Sequence, residues 1–147
     1  MHGAQLRLTR CVVGVLSLFV IVAVAFLPWR DVGIGNPFHL GAHLYQMGLP
    51  VLTAGLVVLA LTAAFSGYLL DRGDWPTRLV TASGMGIVVL VLLVQQSAAT
   101  GVLAVSTWHI HTGNAVAIGA GGLIALIGVS LLFLRTKSSR GTTSLHP

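Results

Sequence analysis

Between Leu49 and Leu70 the chain runs 22 residues without a charge. Coiled as a helix, that run is roughly 33 Å long, enough to cross a hydrocarbon layer about 30 Å thick. The rest of the chain offers no soluble surface to hide it in. Of 147 residues, only 7% are Asp, Glu, Lys or Arg and 55% are hydrophobic, where a soluble domain carries roughly 25% charged residues. There is no Glu, and the acids are Asp31, Asp71 and Asp74. With so few charges, lipid is the expected solvent. The expected fold is therefore all-α: a polytopic membrane protein built as a four-transmembrane-helix bundle.

The spans follow from the apolar runs. A basic head, 1–10, precedes an apolar stretch over 11–27, near the lower length limit for a span. Ala23-Val24-Ala25 has the small-x-small form of a signal-peptidase site. The apolar run nevertheless continues through Phe26 and Leu27 with no polar region before that site, so the segment is expected to be kept as the first span. Pro28 ends it, and Trp29 is expected at headgroup level. The second span is 49–70. DRGDWPTR reads as a tight turn, with Trp75 at the interface and Pro76 opening the next helix. The third span covers 79–99, because the unbroken apolar core from Met85 to Val94 is too short to cross alone. This places Gln95 and Gln96 at the outer interface or facing the bundle interior. A low-charge connector leads to the last span, 113–134. The basic, Ser/Thr-rich tail, 135–147, is expected to be disordered.

Charge sets the orientation. Arg7, Arg10, Arg72, Arg78, Arg135, Lys137 and Arg140 fall on one side of this layout, and only Arg30 falls on the other. The positive-inside rule then puts both termini in the cytoplasm. The net charge of +5 is thus spent on topology; the cations lie singly or in pairs beside apolar runs, so no nucleic-acid partner is expected. Cys11 is the only cysteine, which excludes an intrachain disulfide and any CxxC redox motif.

Leu27-Pro28-Trp29 closing the first span, Arg78-Leu79-Val80 opening the third, and the glycine-punctuated GNAVAIGAGGLIALIGVSLLFLR of the last carry a resemblance. Over nearly its whole length the chain resembles small four-helix membrane proteins of high-GC Gram-positive bacteria, of the tryptophan-associated transmembrane family type. That likeness implies a multi-pass protein of the bacterial inner (cytoplasmic) membrane, and it carries over no catalytic residue. The chain is shorter than most of that family, and its histidine-bearing loops are not part of the pattern.

Two kinds of candidate site stand out. The first is histidine. His39, His43 and Met47 recur every four residues and share one face of a helix, while His109 and His111 lie at the start of the last span. Converging, they would offer imidazole and thioether to copper, or imidazole alone to zinc or haem iron. Convergence requires the second and last spans to be neighbours, and ordinary interfacial histidine is the competing reading. The second kind is small residues that let helices approach closely: Ala60, Ala64 and Gly67 on the second span, and Ala117, Gly121 and Ala125 on the last. Arg30 with Asp31, and the charges of the DRGDWPTR turn, read as solvated pairs and topology signals.

No Asp, Glu, Lys or Arg sits in the middle of a span, where an ion-coupled transporter would need one. No nucleophile–base pair, phosphate loop or metalloprotease motif is present, so an enzyme is not expected. The leading expectation is an accessory, assembly or scaffold subunit acting through contacts with another membrane protein or a second copy. Copper, zinc or haem binding at the outer histidines is the alternative. A small-solute pore or permease is the third.

Overall fold

The computed structural model describes residues 3–27, 29, 50–99 and 112–141. They form four helices: α1 (Gly3–Phe26), α2 (Pro50–Tyr68), α3 (Asp74–Ala99) and α4 (Thr112–Gly141). One 3-10 turn, Leu70–Arg72, joins α2 to α3. No strand occurs among the described residues. All four helices are long and apolar enough to cross a membrane. Their prolines stand where a missing N–H does no harm: Pro50 is the first residue of α2, and Pro76 lies in the first turn of α3.

The helices close into a ring. α1 packs against α2 and α4, and α3 packs against α2 and α4, so each helix touches its neighbours in sequence and the last returns to the first. The axis is filled by Val13, Val20, Leu56, Ile87, Val91 and Ile124, all fully buried. The outside is as apolar as the inside. Phe19, Phe26, Val51, Phe65, Leu126 and Phe133 are more than half exposed. A helix apolar on every side belongs in lipid or in a large core, and a bundle of four provides no such core.

The helix ends differ from the sequence reading at the charged side of the bundle. The basic head is already helical from Gly3, and α3 starts at Asp74, two residues ahead of Pro76. The tail expected to be disordered is helical through Gly141; residues 142–147 lie outside the described set. Once a span is nucleated and packed, each further residue adds a hydrogen bond at little extra entropy, so the helix runs on past the last apolar residue.

Trp29, just past the end of α1, is folded back onto it. It is 2% exposed, and Nε1 donates to the Ala23 carbonyl at 2.8 Å. The same carbonyl accepts the Leu27 backbone N–H at 3.2 Å, so the indole folded back over the end of α1 adds a second donor there while burying its ring. Trp75, by contrast, is half exposed in the first turn of α3.

Candidate functional site

At the charged end, one turn is held from two sides. Gly73 has φ +123°, a left-handed conformation that costs glycine nothing and lets α3 start at once. Asp71 receives Arg10 of α1 at 2.8 Å, and the same guanidinium lies 5.7 Å from the centre of the Tyr68 ring. Asp74 receives Arg135 of α4 at 2.9 Å. Arg135 also donates to the carbonyls of Leu70, at 2.5 Å, and of Gly73. An arginine from the first helix and another from the last thus grip the acids of a turn between the second and third. The Arg10 hydrogen bond, helped by the charges of Arg10 and Arg72, holds the Asp71 carboxyl below its ordinary value of 3.8.

These acids were expected to act as turn and topology signals. The structure adds that both are bonded across helices. Asp71 and Asp74 are more than half exposed, so screening keeps the ion pairs themselves weak. The stronger part is the planar fork of Arg135, which satisfies two carbonyls and a carboxylate at once.

Two seams of small residues close the bundle. On α4, Ala117 and Ala125 are buried with Gly121, and all three lie on the side of α3. A Cβ added to Gly121 would sit 2.7 Å from Ile87 Cγ2, and one added to Gly84 would sit 2.5 Å from the Ala125 nitrogen and 2.7 Å from the Gly121 carbonyl oxygen. One turn further on, Gly128 lies directly over Thr81, where a Cβ would meet the Thr81 nitrogen at 2.8 Å. On α2, Ala60 and Gly67 are buried and Ala64 half-buried; a Cβ on Gly67 would lie 2.9 Å from Val13 Cγ1 of α1. The small-residue faces are therefore used inside this bundle. Gly84 and Gly128 complete the α3–α4 seam and were not singled out from the sequence, although Thr81 and Gly84, and Gly121, Ala125 and Gly128, have the i, i+3, i+4, i+7 spacing of one face.

Buried hydroxyls mark the same half of the bundle. Ser66 Oγ and Thr77 Oγ1 are enclosed without a hydrogen-bond partner. A helical threonine ordinarily bonds the carbonyl four residues back, as Thr81 does to Thr77 at 3.0 Å. For Thr77 that carbonyl is Gly73's, the one Arg135 occupies. Gln95 is half-buried near the end of α3.

His39, His43, Met47, His109 and His111 lie outside the described residues, as do Arg30 and Asp31. α2 packs on α1 and α3, and α4 packs on α3 and α1, so α2 and α4 stand across the ring from each other. Among the described residues no group of three His, Cys, Asp or Glu side chains gathers in a way that would hold a metal. Cys11 is exposed as a free thiol. Comparison with family models, curated proteins and solved structures gave no match.

Proposed function

We propose that this protein is a multi-pass subunit of the bacterial inner membrane, with both termini cytoplasmic, that works by packing its outer surface against another membrane protein or a second copy. The observation carrying this reading is the outward face of α4. Ala115, Gly119 and Gly122 line it at i, i+4 and i+7, and a Cβ added to either glycine would meet nothing within 4 Å. Each interior glycine disfavours the helix by about 1 kcal/mol relative to alanine. At Gly84, Gly121 and Gly128 that loss is offset by close helix contact; at Gly119 and Gly122 the bundle itself supplies no offset. A neighbouring helix lying on this face would supply one. The inner small-residue faces are occupied within the bundle, so the partner surface is placed at Gly119 and not at Gly121.

The orientation rests on seven of the eight Lys and Arg residues lying toward the termini and the α2–α3 turn. The test is Gly119→Leu in the native membrane, followed by affinity purification of the full chain in mild detergent. Loss of a co-purifying membrane protein or of the homo-oligomer, with helical content and thermal stability retained, supports the reading. Unchanged assembly overturns it.

A further inference from the structure

We propose that the groove between α1 and α4 holds one anionic phospholipid, with its phosphate at Lys137 and an acyl chain lying along α4 from Leu134 toward Leu126. This rests on the chain spanning a membrane; the groove continues the helix face of Gly119 and Gly122 toward the charged end of α4. The groove has a volume of about 440 Å³ and is open along one side. Gln5 and Leu8 of α1 form one wall, and Leu126, Ile127, Ser130 and Leu134 of α4 form much of the other. The wall is more apolar than its composition suggests. Ser130 Oγ donates to the Leu126 carbonyl at 2.8 Å, and Thr9 Oγ1, also in the groove, donates to the Gln5 carbonyl at 2.9 Å. Both hydroxyl hydrogens are therefore turned onto their own helices.

The polar end of the groove is charged in one sense. Leu126, Ser130, Leu134 and Lys137 fall at i, i+4, i+8 and i+11, along one face of α4. Lys137 is exposed and makes no ion pair among the described residues. The acids that might neutralise this end, Asp71 and Asp74, are engaged by Arg10 and Arg135. Arg7, Arg72, Arg78 and Lys137 are consequently left exposed and without ion-pair partners among the described residues. An apolar trough with an exposed ammonium one turn beyond its Leu134 end matches an amphiphile with one negative head.

The experiment is native mass spectrometry of the full chain from zwitterionic detergent, titrated with phosphatidylglycerol and, separately, phosphatidylcholine. One bound phosphatidylglycerol is expected, favoured about fivefold over phosphatidylcholine, the effect of one cation near an anionic headgroup. Lys137→Gln should abolish that preference while leaving residual binding of both lipids. Ser130→Phe, which fills the trough, should lose both, with helical content checked by circular dichroism. If Ser130→Phe does not fold, Lys137→Gln alone decides: a lost preference supports the site and a retained one overturns it. No preference in the unaltered chain overturns it, as does a preference that survives Lys137→Gln but falls with Arg72→Gln and Arg78→Gln. A shift from dimer to monomer on filling the groove would assign it to a second copy instead.

Discussion

Gly84 of α3 faces Ala125 of α4 so closely that a methyl group at position 84 would lie 2.5 Å from the Ala125 backbone nitrogen. The obstacle is main chain, so no side-chain rotation relieves it. Gly84→Ala is expected to force the two helices apart and to destabilise the bundle by about 1–3 kcal/mol, as overpacking does. Thermal unfolding in detergent checks this. Gly119→Ala, where a Cβ meets nothing, should be neutral in the isolated bundle or stabilise it by up to about 1 kcal/mol.

Arg135 is expected to matter more for its donors than for its charge. Arg135→Lys keeps the cation but loses the fork that reaches Leu70, Gly73 and Asp74 together. Both Arg135→Lys and Arg135→Gln should therefore open the turn, with the Gln variant destabilised by about 1–3 kcal/mol. Limited proteolysis at the 69–74 segment reads the opening. Full protection in the Lys variant would show that charge alone suffices.

Arg10 gives stability a sign with pH. Because the Asp71 carboxyl is held below 3.8, folding favours its charged form. That contribution is fully present above the unfolded value and is lost as pH falls through the lower folded one. Melting temperature in detergent should fall on acidification below about pH 4. Asp71→Asn should melt lower at neutral pH and show less of the acid-side fall. A variant with the parent's acid profile would dissociate Asp71 from the effect.

Thr77 carries a buried hydroxyl without a partner. Thr77→Val keeps the branched shape and removes the desolvated group, so stability should be unchanged or should rise by about 1 kcal/mol. Arg135→Gln, which frees the Gly73 carbonyl, should make the same Thr77→Val change unfavourable. A double-mutant cycle in thermal unfolding measures this coupling.

Much of the fold was legible from the sequence, and the reason is chemical. A charge-free run such as Leu49–Leu70 has one stable form in lipid, the helix, because every backbone group must be satisfied within the segment. The small-residue spacing on the last span likewise marked a close approach. It did not identify the neighbour, since Ala117, Gly121 and Ala125 specify how near a backbone can come and not which backbone it is. In the bundle that backbone is the one at Gly84 of α3. The clamp was hidden for another reason. Arg135 and Asp74 are 61 residues apart, and nothing in their local spacing links them until α4 is packed beside α3. The burial of Trp29 was hidden as well, since nothing in the local spacing shows its indole folding back to the Ala23 carbonyl.

The central claim is that α4 has an inner face committed to α3 and an outer face left for a partner. Single cysteines at the two faces test it directly in native membranes. In a chain carrying Cys11→Ser, Gly119→Cys and Ala125→Cys are each treated with a short thiol-reactive cross-linker and resolved by size. The Gly119→Cys chain should give a cross-linked species of higher mass, to a second copy or another membrane protein, and the Ala125→Cys chain should remain monomeric. Cross-linking through Ala125→Cys with none through Gly119→Cys would contradict it.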